Sequence, residues 1–153
     1  MNKWTKRYLQ IAEDVSSWSK DPSTKIGAVC VGHKGQLLSQ GYNGFPRGIK
    51  DSSDRLQDRE EKYKYVVHAE LNCIFNAAIN GVSLDRSTMY LYGLPTCTEC
   101  AKGIIQVGIS RVIIQQPREG LERWEESTDK AISMLKEAGV RVMRYDFEYE
   151  LID

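Results

Sequence analysis

Apolar residues recur every three to four positions along residues 3–19, at Trp4, Tyr8, Ile11, Ala12, Val15 and Trp18. That spacing predicts an amphipathic helix, and Asp21-Pro22 ends it. The period then shortens. Residues 26–31 (I-G-A-V-C-V) and 37–42 (L-L-S-Q-G-Y) are strand-like runs on either side of the turn Gly32–Gly35, which predicts a hairpin. Residues 43–64 are polar and aperiodic, a connection long enough to be functional or disordered, with a short helix expected over 54–63.

Helical spacing returns over about 67–80 and stops at Gly81. A strand follows at 88–92 (T-M-Y-L-Y), a helix at 98–107 and a strand at 111–115 (R-V-I-I-Q). Leu121, Trp124, Ala131, Ile132, Leu135 and Ala138 form the apolar set of a helix over 122–138, ended by Gly139, and 140–144 (V-R-V-M-R) is the last strand. The tail 145–153 alternates apolar and acidic residues, and reads either as an extra edge strand or as a partner-binding arm. Strands separated by helices imply parallel crossovers, whereas the opening hairpin is antiparallel. The expected fold is therefore α/β: a single domain over residues 1–153, three layers α/β/α, with a mixed five-stranded sheet.

Composition narrows the functional classes. A chain of 153 residues is long enough for one proper core. Its 21 Lys and Arg balance 21 Asp and Glu, so nothing in the net charge points to a nucleic-acid surface. No apolar run is long enough to cross a membrane, and the polar start M-N-K-W-T-K-R-Y predicts a helix in place of a leader. Cysteine usage fits a reducing, cytoplasmic setting.

The candidate chemistry lies between Val66 and Cys100. The stretch reads V-V-H-A-E-L-N-C and then L-P-T-C-T-E-C. His68, Cys97 and Cys100 are zinc-type ligands, and a catalytic zinc keeps three protein ligands with a fourth position open to water. Cys97 and Cys100 are three apart, so both sulfurs fall on one face of a first helical turn, where the positive dipole end favours thiolate. Glu70 stands two residues after the histidine and is not a natural fourth ligand. A C-x-x-C pair is also compatible with a redox pair or half of a structural zinc site. A structural site wants a fourth Cys or His, but Cys30 and Cys73 sit in core-like segments and His33 lies in a turn.

H-x-E followed by P-C-x-x-C is the known signature of zinc-dependent nucleobase deaminases. Around it, D-P-S-T-K-I-G-A-V (21–29), G-Y-N-G-F-P-R-G (41–48), Y-V-V-H-A-E-L-N (65–72) and C-T-E-C-A-K-G-I-I-Q-V-G-I (97–109) resemble the deoxycytidylate (dCMP) deaminases of the cytidine deaminase superfamily. The resemblance covers about residues 5–142. It implies one Zn2+ per chain on His68, Cys97 and Cys100, with Glu70 as the catalytic proton shuttle. It also implies substrate contacts from Asn43, Ala69 and the Ser23–Lys25 stretch. Tyr42, Gly44 and Arg47 fall in a loop that in regulated members binds an activating triphosphate. Arg47 is an alternative phosphate ligand. A homo-oligomer, dimer or hexamer, is implied as well.

The chain departs from the family at two places. Thr96 intervenes between Pro95 and Cys97, where it or Thr98 is placed to cap the following helix. Arg118 occupies the position of a tyrosine that packs on the substrate, so either Trp124 takes over stacking or Arg118 binds phosphate. The implied function is hydrolytic deamination of dCMP to dUMP and ammonia, feeding thymidylate synthesis. The alternatives are a deaminase of dCTP or deoxycytidine, a nucleic-acid editing deaminase, and a non-catalytic zinc module. An editing enzyme needs a basic, aromatic-lined groove, for which the composition gives no sign.

Overall fold

A computed structural model describes residues 1–152. Strands β1 (Gly27–Val31), β2 (Leu37–Tyr42), β3 (Thr88–Tyr92), β4 (Arg111–Gln115) and β5 (Arg141–Tyr145) form one sheet in the order β2-β1-β3-β4-β5. β1 runs antiparallel to both β2 and β3, while β3, β4 and β5 are parallel. The mixed sheet follows from connection length. A tight turn joins β1 to β2, and helices carry the chain between the later, parallel strands.

The helices are α1 (Lys3–Ser16), α2 (Ser53–Gln57), α3 (Arg59–Tyr65), α4 (Ala69–Asn80), α5 (Thr98–Gln106) and α6 (Glu125–Glu137). The strand period of two sorts side chains between the sheet's faces. Val29 and Val31 of β1 point to α1, where they meet Leu9, Ala12 and Val15 together with Tyr90 and Ile113. Ala28 and Cys30 point the other way, to the helix layer of α4, α5 and α6, with Met89, Leu91, Val112, Ile104 and Leu135. Each fully buried Leu or Ile in these layers contributes roughly 1.5–3 kcal/mol. The three-layer α/β/α expectation holds, with α1 alone covering one face.

Small residues set how closely α4 sits on the sheet. A Cβ added to Gly41 of β2 would run into the backbone of Cys73 and Ala69 of α4. That contact fixes the start of α4, and with it the elements that carry His68 and Glu70.

Element ends differ from expectation for local reasons. α1 stops at Ser16, short of residue 19, because the Ser16 and Ser17 hydroxyls donate to the carbonyls of Glu13 and Asp14, each at 2.6 Å. The helix expected over 54–63 is two helices, broken at Asp58, whose carboxylate caps α3 by accepting from Glu60 N and Glu61 N. A 3-10 turn, Glu122–Trp124, precedes α6. The tail turns back on itself at Asp146–Tyr149 and makes one antiparallel bridge, Tyr145 to Leu151. Asp153, the end of the expected tail, lies outside the described residues.

Candidate active site

Two helix starts carry the metal-type donors. His68 is the N-cap residue of α4 and Cys97 that of α5, where the Cys97 sulfur accepts from Cys100 N at 3.5 Å. His68 Nδ1 lies 3.4 Å from each of the Cys97 and Cys100 sulfurs. Among the described residues this is the one group of three or more such donors whose ligand atoms all lie within 4.8 Å of one another. Nitrogen and sulfur ligands of one tetrahedral zinc stand about 3.6 Å apart, given the usual bond lengths. The donor chemistry and the spacing both fit Zn2+.

Proton affinities in the trio agree with that fit. A hydrogen bond from Cys100 is the main reason the Cys97 thiol is pulled down to about 4, and it outweighs partial burial. The same bond, with burial added, pushes Cys100 far up. Hydrogen bonding to Cys97 raises His68, against the opposing effect of burial.

Glu70 is the second residue of α4 and is only 3% exposed. Burial pushes its carboxyl up, while a hydrogen bond from Thr96 and the charge of His68 pull it down. Thr96 Oγ1 donates to Glu70 Oε2 at 2.7 Å. The expectation that Thr96 caps α5 is thereby corrected. Cys97 occupies the cap, and the Thr96 hydroxyl, buried at 1% exposure, is spent on the carboxylate.

His68, Glu70, Thr96 and Cys97 open onto a cavity of about 370 Å³. Of the residues expected to touch substrate, Ser23, Asn43 and Trp124 line it. Asn43 is buried and uses both ends of its amide on the backbone, accepting from Ile26 N at 2.9 Å and donating to Thr24 O at 2.9 Å. Its first task is to hold the 24–26 segment against the cavity. Ala69 is wholly buried in α4 and is not part of the lining. Lys25 borders a neighbouring cavity instead.

Arg118 is a correction. It points away, donating to Asp146 Oδ2 at 2.6 Å and to the Leu151 carbonyl at 3.0 Å. The residue that stands in for the family tyrosine therefore ties down the tail. Arg47 is also turned away, donating to Asn76 Oδ1 at 2.6 Å. Gly44 pairs through its backbone with Val67 just before α4. Tyr42 and Gly44 border a separate cavity of about 100 Å³, where Trp18 meets Tyr42 edge-on.

Sequence reasoning missed part of the cavity wall. Asp21, Arg59, Lys62, Tyr63, Arg123, Ser127 and Thr128 all line it. Lys62 of α3 reaches Asp21 Oδ1 at 3.2 Å, with both side chains under 10% exposed. The same Asp21 oxygen accepts from Ser23 N and Thr24 N. A buried lysine 41 positions from its carboxylate leaves no local spacing to read. The one available signal was the presence of charged residues in the long connection.

Comparison with known proteins agrees with this arrangement. Residues 2–116 match the family model of the cytidine and deoxycytidylate deaminase zinc-binding region. The chain belongs to that family. It is 43% identical over 143 residues to the uncharacterized deaminase in the luxG 3'region of Aliivibrio fischeri, covering 93% of each chain. It is 36% identical over 157 aligned positions to the deoxycytidylate deaminase of Mus musculus, covering 98% of this chain and 84% of that one. Among solved structures, the dCMP deaminase of the cyanophage S-TIM5 in complex with dCMP and dUMP superposes with a TM-score of 0.74 at 28% identity, over 94% of this chain and 98% of that one.

Proposed function

We propose that this chain catalyses the zinc-dependent hydrolytic deamination of dCMP to dUMP and ammonia. The observation that carries the reading is a buried, free carboxylate beside three zinc donors in one cavity of nucleotide size. Its deoxycytidylate deaminase relatives, and a related structure that holds dCMP and dUMP, support the substrate.

A zinc ion held by His68, Cys97 and Cys100 supplies Lewis acidity and an acidified water at neutral pH. Glu70 does the proton work. Its carboxylate would take a proton from the attacking water as the water oxygen bonds to C4 and pass it to N3 of the cytosine, and would then move the remaining hydroxyl proton to the amino group as the C4–N bond breaks, leaving the uracil carbonyl and ammonia. One group must both accept and donate, so it has to stay off the metal. Burial raises its proton affinity toward that double duty, and Thr96 holds one oxygen of this cavity-lining carboxylate. Asn43 and Ser23 frame the nucleoside end, and Trp124 presents an aromatic wall to it.

No helix of the described chain is long and apolar enough to cross a membrane. Assembly into dimers or hexamers is part of the same reading. Phe75 and Ile79 on α4, 49% and 68% exposed, are apolar side chains available for burial between copies, and sedimentation would report the state.

The reading is tested by ammonia release from the zinc-loaded protein with dCMP, CMP, dCTP, deoxycytidine and a cytosine-containing oligonucleotide compared side by side. Turnover of dCMP should exceed the rest. Turnover of another compound with dCMP inert would overturn the substrate and leave the chemistry in place.

A further inference from the structure

Charge pairing along the cavity wall is uneven. Three cations line the cavity: Arg59, Lys62 and Arg123. Lys62 is neutralised by Asp21 inside the wall, at 3.2 Å. Arg59 makes no ion pair among the described residues, and neither does Arg123, whose guanidinium lies 4.7 Å from the Trp124 ring centroid. Cation–π stacking orients a guanidinium without cancelling its charge. The hydroxyl residues Ser23, Thr24, Ser127 and Thr128 line the same cavity.

Resting on the deaminase reading above, we propose that Arg59 of α3 and Arg123 of the 3-10 turn form a clamp that selects the 5′-phosphate of a nucleoside monophosphate. Two unpaired guanidiniums match the charge of a phosphate monoester, about −1.5 to −2 at neutral pH. A triphosphate carries about twice that charge and would leave half of it without a partner on this wall. Guanidinium also suits phosphate oxygens by its planar, two-pronged donor geometry.

The two arginines come from segments remote in sequence, and each has its own anchor. Arg59 is one turn before Lys62 on α3, so the buried Lys62–Asp21 pair holds Arg59 in place and ties its helix to the Ser23–Thr24 loop. Arg123 is fixed by stacking on Trp124. The clamp thus replaces Lys25 and Arg118, which lie outside this cavity. It makes the long connection after β2 a specificity element, positioned by one ion pair, while the metal corner supplies the reaction.

The test uses the zinc-loaded chain, Arg59→Gln, Arg123→Gln and the double variant. Kinetics with dCMP and with deoxycytidine are compared, and binding of dUMP and of deoxyuridine is measured by calorimetry. Both arginines are exposed, so the variants keep the fold. Each single variant should raise KM for dCMP and weaken dUMP about 10- to 100-fold, the scale of a charge-assisted hydrogen bond. Deoxycytidine turnover and deoxyuridine binding, which involve no phosphate, should fall far less than their nucleotide counterparts. Unchanged dCMP and dUMP affinity would overturn the clamp, and so would an equal loss on nucleotide and nucleoside. Phosphate-dependent dUMP binding that vanishes in the double variant, in a wild type that fails to deaminate dCMP, would sustain the clamp and sink the deaminase reading.

Discussion

The metal donors and the charged part of the cavity wall are built differently. At the metal end, every chemical group comes from the first turn of a helix packed on the sheet: His68 and Glu70 at the start of α4, Cys97 and Cys100 at the start of α5. The charged part of the wall comes from α3 and from the 3-10 turn before α6, with exposed arginines and one buried ion pair. α3 packs mainly on the five-residue α2 and not on the sheet. On the proposed reading, the reaction falls to helix starts at the sheet and the choice of substrate to the segments outside it. Geometry demands this division, because proton transfer tolerates little misplacement whereas an anion is attracted over a longer range.

The contrast can be broken most forcefully at Glu70. Glu70→Gln should cost turnover about 100- to 10,000-fold, the scale of general acid–base catalysis, with zinc content unchanged by metal analysis. Near-normal activity would remove the carboxylate from the mechanism.

The charged wall is tested next through Lys62→Met, which strands Asp21 without its lysine. Breaking a buried pair costs about 3 kcal/mol of stability, read from denaturant unfolding. Zinc stoichiometry should hold while KM for dCMP rises. Loss of zinc in a folded variant would show that the two regions are not separable.

Thr96→Val keeps the shape and removes the hydrogen bond to Glu70. A lower kcat, by about 10-fold, is expected from one lost bond to a charged acceptor, with KM and zinc content unchanged. An unaltered kcat would mean that packing alone orients the carboxylate.

The smallest effect lies outside both regions. Backbone N–H donation from Glu150 is the main reason Asp146 is held below its usual 3.8, with Arg118 and the Glu148 N–H adding to it. A depressed folded value stabilises the tail turn at all pH above about 3.8 and loses that contribution as pH falls through the folded value. Amide resonances of 147–151 should therefore shift only below about pH 3.8, after the metal end, where His68 and Glu70 take up protons at higher pH, has already changed, and Asp146→Asn should remove the transition.

What was legible in the sequence follows the same division. His68, Glu70, Cys97 and Cys100 are readable because each pair is local, two or three residues apart, and the sheet is readable because period-two runs such as Val29 and Val31 against Ala28 and Cys30 mark its faces. Asp21 and Lys62 meet across 41 positions, and Arg59 and Arg123 come to one cavity wall only through the fold, so no spacing announces them. Thr96 drew notice as a departure, but its partner Glu70 is 26 positions away. Arg118 was misread because alignment gives a position and not a direction, and the Asp146 carboxylate claims its side chain.

The Lys62–Asp21 pair also has a consequence in time. α3 is joined to the rest of the chain by this ion pair, by the Phe45–Tyr65 ring contact and by α2, while α4 is bedded on the sheet through Cys73 and Ala77. Such a segment can open as a unit while the layers beneath stay shut. Amide hydrogens of Lys62 and Val66 should then exchange with solvent well before that of Cys73, and nucleotide should slow the first group alone. The chain would breathe where it recognises its ligand and stay closed where it cuts the C–N bond.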